Sequence, residues 1–191
     1  MCGIVGYYGT KDAVPLLLKG LKRLEYRGYD SAGLALLGDT GIEIMKKAGK
    51  VMDLERIVDD SVLKGTIGMG HTRWATHGEP NDTNAHPHLD QTGKFALIHN
   101  GIIENYSSIK TYLEQKGVQF RTETDTEVLV QLISLIYSEN GKSFEKAVRE
   151  ALKQVVGTYG IIVLCADEPQ KMIAARHGSP LVMGEIGRAH V

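Results

Sequence analysis

The chain has 191 residues, of which 42% are apolar, so it can build a sizeable hydrophobic core and is not expected to be a disordered polymer. Its 22 Lys and Arg residues nearly balance its 23 Asp and Glu residues, and the net charge of -1 predicts neither a nucleic-acid partner nor binding to an anionic membrane. No apolar run approaches the roughly 20 residues that span a bilayer, and no signal peptide is recognisable. We therefore expect a globular, cytoplasmic protein whose partners are small molecules or other proteins.

Two cysteines are too few for a disulfide framework, and one of them stands in an unusual place. Cys2 directly follows Met1 and precedes a short apolar run. If Met1 is removed, Cys2 carries a thiol and a free α-amine on one Cα, so the nucleophile and its proton acceptor share a residue. The alternative interpretation is a buried cysteine at the start of a strand. Cys165 lies in a β-like apolar run and is expected to be a buried, unreactive thiol.

Apolar periodicity and turn residues predict the elements of the first half of the chain. In chain order they are a strand at 4–8, a helix capped by Asp12 and extending to Leu24, strands at 31–37 and 42–46 joined by a turn at 38–41, a helix at 51–58 and a strand at 66–73. Pro15 suits the first turn of the first helix, because the N–H that proline lacks has no intrahelical partner there.

The second half of the chain continues the same mixture of elements. The predicted elements are a strand at 95–99, helices at 106–116, 125–137 and 143–156, strands at 159–166 and 172–175, and a last strand after Ser179-Pro180. Because the strands arrive in clusters and not in alternation with helices, the order favours largely antiparallel sheets covered by outer helical layers. The expected fold class is α+β.

Four polar segments, of which the first three contain glycine, interrupt this apolar pattern. They are residues 26–33, 71–78, 99–105 and 122–127. Each is predicted to lie where a strand ends or a helix begins, which is where side chains from different elements converge on a pocket.

Three residue types within these segments suggest chemistry, and each has a structural alternative. The planar guanidinium of Arg73 suits a carboxylate ligand, but arginine also forms surface ion pairs. Asp125 falls in the first turn of a helix, within the capping-box pattern 124–127, and a carboxylate there either binds a cation or complements the helix dipole. The pair Asn100-Gly101 offers amide and backbone N–H donors for an oxyanion, although Asn-Gly is also common in tight turns.

Five histidines crowd the central third of the chain, and imidazole is a common zinc ligand. They are His71, His77, His86, His88 and His99. Neither a His-Glu-x-x-His nor a Cys-x-x-Cys pattern accompanies them, and the proline between the third and fourth indicates a rigid loop. We therefore expect no metal and no other cofactor.

Together with residues 1–6 and 176–181, these segments resemble the glutaminase domain of class II glutamine amidotransferases, a family that uses an N-terminal nucleophile. The resemblance covers nearly the whole chain, and the motifs occur in the same order. The amino-acid sequences of residues 25–33 and 72–78 most resemble those of the glucosamine-forming branch of the family. The phosphoribosyl-transferring and asparagine-forming branches resemble it less.

The resemblance implies a four-layer αββα sandwich with two stacked, mainly antiparallel sheets. It also implies that Cys2 attacks the side-chain amide of L-glutamine while Asn100 and Gly101 bind the oxyanion. Arg73 would bind the substrate α-carboxylate, and Asp125 the α-amino group. The residues implied to contact or line the glutamine site are Arg27, Arg73, Trp74, Thr76, His77 and Asp125.

The resemblance further implies a glutaminase domain at 1–186, with residues 187–191 open to explanation as a non-native tail. The sugar isomerase domain that would use the ammonia is absent from this sequence, so the chain alone is expected to hydrolyse glutamine and not to make the amino sugar. A homodimer of the full-length enzyme is left open. Two alternatives also remain, namely the glutaminase domain of another branch and a non-catalytic glutamine-binding module that retains Met1.

Overall fold

The computed structural model describes residues 2–38, 40–59, 63–75, 78–139, 141 and 143–185. The strands within these ranges are β1 (Gly3–Tyr8), β2 (Ser31–Gly38), β3 (Gly41–Ala48), β4 (Ile67–Arg73), β5 (His88–Leu89), β6 (Phe95–Ile103), β7 (Gly157–Cys165) and β8 (Met172–His177). The α-helices are α1 (Ala13–Leu24), α2 (Val51–Asp59), α3 (Tyr106–Gln115), α4 (Asp125–Glu139) and α5 (Phe144–Leu152). A short 3-10 helix (Glu25–Arg27) follows α1.

The strands form two four-stranded sheets. The first has the order β1-β4-β2-β3 and the second the order β5-β6-β7-β8. Every pairing between these strands is antiparallel. The predicted antiparallel arrangement is therefore confirmed.

Three apolar layers hold the two sheets and their helices together. One lies between α1, α2 and the outer face of the first sheet, a second lies between the two sheets, and the third joins the second sheet to α3, α4 and α5. β2 shows how one strand serves two layers, since Leu34 and Leu36 pack under the helices while Ala35 and Leu37 face the other sheet. The αββα sandwich expected from the resemblance is thus confirmed.

Local signals locate several helix boundaries correctly. Asp12 caps α1, because its carboxylate accepts a hydrogen bond from the Val14 N–H at 3.1 Å. The last predicted helix is shorter than expected and ends at Leu152, and the chain turns before it enters β7 at Gly157. The strand predicted after Pro180 is wrong, because residues 181–185 form no strand and are largely exposed.

Among the described residues, no helix combines the length and the apolar character required to cross a membrane.

Candidate active site

Two neighbouring strands of the first sheet bring Cys2 and Arg73 to the same end of that sheet. β1 and β4 are antiparallel, with Gly3 opposite Thr72, so the residue before β1 lies beside the last residue of β4. The backbone N–H of Trp74 donates a hydrogen bond to the Cys2 Sγ at 3.2 Å. The thiol of Cys2 is therefore held by the residue that follows β4.

The second sheet contributes Asn100 and Gly101 from within a strand. Both lie inside β6, opposite Gly160 and Tyr159 of β7, so the prediction that this strand ends at residue 99 is wrong. The Asn-Gly pair extends the antiparallel ladder and does not form a tight turn, because pairing with β7 decides its conformation. The Asn100 amide donates a hydrogen bond from Nδ2 to the Cys2 carbonyl oxygen at 3.4 Å, so the two sheets meet at this point.

The backbone at Gly101 accepts only glycine. Its φ of 138° lies in a region that side chains rarely adopt. A Cβ at this position would lie 2.0 Å from the carbonyl oxygen of Thr158 on β7. The glycine therefore allows β6 to continue past Asn100 at close distance to its partner strand.

Asp125 reaches the same region from the start of α4. Its side chain is buried, with the residue 5% exposed. The carboxylate accepts a hydrogen bond from the Ile103 N–H at 2.9 Å and lies 3.8 Å from Nδ1 of His99. The carboxylate thus faces the end of β6 as well as the first turn of its own helix.

The predicted capping box at the start of α4 is only half formed. Thr124 Oγ1 accepts a hydrogen bond from the Glu127 N–H at 3.2 Å, as expected of a cap. The Glu127 carboxylate does not return the bond. It accepts instead from the N–H groups of Arg121 at 2.9 Å and Thr122 at 2.7 Å, so it braces the loop that precedes the helix.

Arg73 is a buried residue, which the surface ion-pair alternative did not anticipate. It is 3% exposed, and its guanidinium donates hydrogen bonds to the carbonyl oxygens of Gly78 at 3.2 Å and Glu79 at 3.3 Å. The nearest carboxylate oxygen of Asp30 lies 3.9 Å away. These contacts fix the direction of the guanidinium, which lines the cavity described below.

The loop after β4 is tied back to the first sheet by Asp30. The Asp30 carboxylate accepts hydrogen bonds from the Ala75 N–H and from the Ser31 hydroxyl at 3.0 Å. Trp74, which directly precedes Ala75 in this loop, is 54% exposed and lines the cavity described below. Its indole packs against Gly28, where a Cβ would lie 3.1 Å from the ring.

Four buried histidines, which we call the histidine floor, lie beneath these groups. They are His71, His86, His88 and His99. The rings of His71 and His86 stack with centroids 4.3 Å apart, and His88 lies edge-on to His86 at 4.6 Å. Thr126 Oγ1 lies 2.8 Å from His86 Nε2 and 3.2 Å from His99 Nδ1. Among the described residues, no group of three or more His, Cys, Asp or Glu side chains is arranged to hold a metal ion.

Burial keeps three of these histidines neutral. It lowers the pKa of His71 to about 4 and holds the pKa values of His86 and His88 well below the ordinary value. These side chains are therefore hydrogen-bonding groups at neutral pH and not cations.

The Cys2 thiol is also shifted. Burial raises the pKa of the thiol above its ordinary value, and the hydrogen bond from the Trp74 N–H offsets this effect only in part. At neutral pH the sulfur is therefore mostly protonated. A base must take the proton when the sulfur attacks.

A cavity of about 920 Å³ joins these groups and lies within the size range of small-molecule sites. Cys2, Arg73, Trp74, Asn100, Gly101 and Asp125 all line it, together with Thr126, Thr158 and residues 179–182. Six predicted site residues thus surround one space. It brings together a thiol, a side-chain amide, a cation and a carboxylate, and groups of these kinds can bind and cleave an amino acid amide.

Three predicted substrate-binding positions cannot be located in this way. Thr76 and His77 lie outside the described residues, as does Met1. The backbone of Arg27 ends the 3-10 helix, but its side chain lies outside the described part of the chain.

Sequence reasoning missed the hydrogen bonds that His71, Thr126 and Asp30 make. It considered His71 only as a candidate metal ligand. A signal for the first was present. Alternation along β4 puts Met69, His71 and Arg73 on one face of the strand, and Met69 belongs to the apolar layer between the sheets. The other two depend on contacts between distant segments, which the local pattern does not contain.

Comparison with known proteins gives the class. The solved structure of glutamine phosphoribosylpyrophosphate amidotransferase from B. subtilis matches 92% of this chain and 37% of its own length with a TM-score of 0.77 and 27% identity. The structure of an allosteric regulatory enzyme of purine biosynthesis gives a TM-score of 0.78 at 28% identity and the same coverage. The fold is that of the N-terminal-nucleophile glutamine amidotransferases.

The family model of the glutamine amidotransferase domain matches residues 44–186, and the chain belongs to this family. Among its curated relatives are the glutamine–fructose-6-phosphate aminotransferases (isomerizing) of Chlorobaculum tepidum, 54% identical over 188 residues, and of Bacteroides thetaiotaomicron, 55% identical over 185 residues. Each alignment covers 96% of this chain and 30% of the relative. The chain thus spans just under a third of the length of these relatives and is homologous to their glutaminase domain.

Proposed function

We propose that this chain hydrolyses L-glutamine to glutamate and ammonia through a thioester on Cys2. In the whole enzyme, the ammonia would supply the nitrogen for making glucosamine 6-phosphate from fructose 6-phosphate. The observation that carries the proposal is the meeting of the two sheets at Cys2, where one sheet holds the sulfur through the Trp74 N–H and the other contributes the Asn100 amide.

The first step is attack of the Cys2 sulfur on the side-chain carbonyl carbon of glutamine. Because burial keeps the thiol protonated, the α-amine of Cys2 takes the thiol proton, either directly or through a water molecule. This role requires Cys2 to be the first residue of the mature chain. The carbonyl oxygen becomes an oxyanion, which Asn100 Nδ2 and the Gly101 N–H stabilise.

The tetrahedral intermediate then collapses, and the C–N bond breaks. The departing nitrogen takes the proton held by the α-amine and leaves as ammonia, while the acyl group remains as a γ-glutamyl thioester. Water attacks the thioester, the C–S bond breaks, and glutamate and the free thiol are released. The sum is glutamine plus water giving glutamate plus ammonia.

Substrate orientation is assigned to two buried charges of opposite sign. Arg73 would bind the α-carboxylate of glutamine and Asp125 the α-ammonium group. Both side chains line the cavity, and each is nearly inaccessible to solvent, which strengthens a charge-assisted hydrogen bond. Arg27, Thr76 and His77 remain predicted members of the same site.

The relatives support a proposal for the domain that accepts the ammonia and for the cellular location of the reaction. The proteins aligned with this chain are named glutamine–fructose-6-phosphate aminotransferases, so we propose a sugar isomerase domain as the consumer of the ammonia. We also propose a cytoplasmic location, since these relatives are metabolic enzymes. A homodimer of the full-length enzyme remains a prediction.

The test is ammonia release from glutamine by the purified chain, together with its intact mass. The active protein is expected to lack Met1. Cys2→Ala should abolish turnover and leave glutamine binding largely intact, whereas Cys165→Ala is the matched control, since this second thiol is buried on β7. Full activity of a chain that retains Met1, or turnover by Cys2→Ala, would rule out the mechanism.

A further inference from the structure

One buried histidine contacts the oxyanion group but does not line the cavity. His71 lies on β4 and is fully buried. Its Nε2 is 2.9 Å from Asn100 Oδ1 and 3.1 Å from the carbonyl oxygen of His99. The imidazole therefore contacts the amide oxygen of Asn100, while the amide nitrogen is directed toward Cys2.

The two neighbours determine which ring nitrogen carries the proton. A backbone carbonyl oxygen is always an acceptor, so the Nε2 of His71 must donate to His99. Burial lowers the pKa of His71 to about 4, so the ring has a single proton at neutral pH. The Nδ1 atom has no hydrogen-bond partner among the described residues, which agrees with a proton on Nε2.

A proton on Nε2 also fixes the orientation of the Asn100 amide. The amide oxygen must face His71, and the NH₂ group then points toward Cys2, where it donates to the backbone carbonyl at 3.4 Å. Rotating the amide by 180° would set its NH₂ against the N–H of His71 and its oxygen against the Cys2 carbonyl. Both contacts would be repulsive.

We infer that His71 is a positioning residue, whose N–H holds the Asn100 amide with its NH₂ group toward the oxyanion. The inference rests on the proposed glutaminase reaction. Its physical basis is that a donor stabilises a transition state best when it is oriented before the charge develops. Without the His71 N–H, only the 3.4 Å contact with the Cys2 carbonyl oxygen would favour the productive orientation. The Asn100 side chain would then spend more of its time in the flipped orientation, which does not serve catalysis.

Two substitutions distinguish the position of the donor from the presence of a polar group. In His71→Gln, the side-chain NH₂ reaches the place of Nε2, whereas in His71→Asn it reaches only the place of Nδ1. We expect His71→Asn to lower kcat by about 10- to 100-fold, which is no more than the loss from deleting an oxyanion donor. The KM for glutamine should change less than about threefold. His71→Gln should recover most of the kcat.

A double-mutant cycle separates this role from a general loss of structure. If His71 acts through Asn100, His71→Asn should cost little further activity in an Asn100→Ala background. Met69→Ala is the stability control, because Met69 is equally buried on the same strand. It should lower Tm while kcat stays near that of the parent. An undiminished effect of His71→Asn in the double mutant, or an equal fall of kcat in Met69→Ala, would overturn the inference.

A measurement on the unmutated chain covers the case in which His71→Asn does not fold. The ¹⁵N chemical shifts of the His71 ring at pH 7 report which nitrogen is protonated, and a neutral ring with its proton on Nε2 is expected. A proton on Nδ1 would overturn the inference. Glutamine hydrolysis by the same sample tests the proposed function separately. An inactive unmutated chain would contradict the proposed function, whichever ring nitrogen of His71 carries the proton.

Discussion

The two sheets supply the cavity in different ways. The first sheet contributes Cys2 and Arg73 from strand ends, and both depend on the loop after β4, in which the Trp74 N–H holds the sulfur. The second sheet contributes Asn100 and Gly101 from inside β6, where the β7 ladder holds the backbone on one side.

This difference indicates that the side proposed to bind the oxyanion is rigid and that the side carrying Cys2, the proposed nucleophile, is more adjustable. A strand within a ladder has few alternative conformations, which suits donors that must be oriented before the reaction. Strand ends and loops are held by individual side-chain bonds, such as those of Asp30 to the Ala75 N–H and to Ser31. We therefore expect substitutions that disturb the backbone of β6 to act mainly through the fold, and those in the loop that follows β4 to act mainly through the reactivity of the sulfur.

The largest effect is expected from Gly101→Ala. The added Cβ would lie 2.0 Å from the Thr158 carbonyl oxygen at a φ of 138°, so the ladder between β6 and β7 must move. We expect a loss of about 3 to 5 kcal/mol in the free energy of unfolding, from steric overlap and backbone strain together. Activity should be lost with it.

Gly93→Ala is the matched control in urea denaturation. Gly93 also has a positive φ, of 73°, but a Cβ there would meet nothing within 4 Å. It should cost only about 1 kcal/mol of backbone strain. Equal losses in the two variants would show that the ladder does not confer the rigidity we assign to it.

Acidification tests the histidine floor that lies between the two sides. The pKa of His71 is about 4 in the folded chain and about 6.5 when unfolded, so the unfolded state binds more protons between these values. Stability from this group is full above about pH 6.5 and falls as the pH drops toward 4. At pH 5 the loss from His71 alone is about 2 kcal/mol by linkage, and His86 and His88 act in the same direction.

Urea denaturation at pH 7.5 and at pH 5 measures this loss. Carboxylates with lowered pKa values, such as Glu168, lose their contribution at lower pH and so do not account for a change in this window. Equal free energies of unfolding at the two pH values would contradict the buried, neutral state of the floor.

Asp125→Asn should weaken substrate binding more than it weakens the fold. The asparagine oxygen can still accept from the Ile103 N–H, which Asp125 binds at 2.9 Å. The negative charge that we propose binds the substrate ammonium group is lost. We expect KM for glutamine to rise about tenfold, equivalent to about 1.4 kcal/mol, with a smaller change in kcat. Steady-state kinetics measure both.

Asp53→Asn controls for the helix dipole. Asp53 is likewise an acidic residue in the first turn of a helix, α2, and it does not line the cavity. Its substitution should leave KM unchanged. If Asp125→Asn changed Tm and left KM unchanged, the carboxylate would be a structural group.

The sequence predicts the sheets and helices well where local periodicity decides them. The cap at Asp12 and the apolar face of α1 are local signals, and the structure follows both. The extension of β6 through Asn100 and Gly101 was not predictable in this way. These residues favour turns locally, and only the pairing with β7, almost 60 residues further along the chain, keeps them extended.

The candidate site likewise has a part that the sequence predicts and a part that it does not. Cys2, Arg73 and Asp125 were identified from residue type, position and family resemblance, and the structure brings them to one cavity. The contact of His71 with Asn100 was not identified, because it joins residues of different sheets. A histidine on the inward face of a strand is visible in the sequence, but its partner is a property of the packing.

The smallest effect concerns the side chain that anchors the nucleophile's loop. The negative charge of Asp30 raises the pKa of the Cys2 thiol, although less than burial does. Asp30→Asn retains an oxygen that can accept from the Ala75 N–H but removes this charge, so the thiol pKa should fall. We expect alkylation of Cys2 by iodoacetamide at pH 7.5 to become about two- to threefold faster.

The pH dependence of alkylation gives the sign of this effect directly. Its midpoint should move to lower pH in Asp30→Asn and stay in place in Asp53→Asn, whose carboxylate belongs to α2. A midpoint that moves to higher pH would mean that Asp30 acts mainly by holding the Trp74 N–H against the sulfur, because loss of that hydrogen bond raises the thiol pKa. The loop would then control the sulfur through geometry and not through charge.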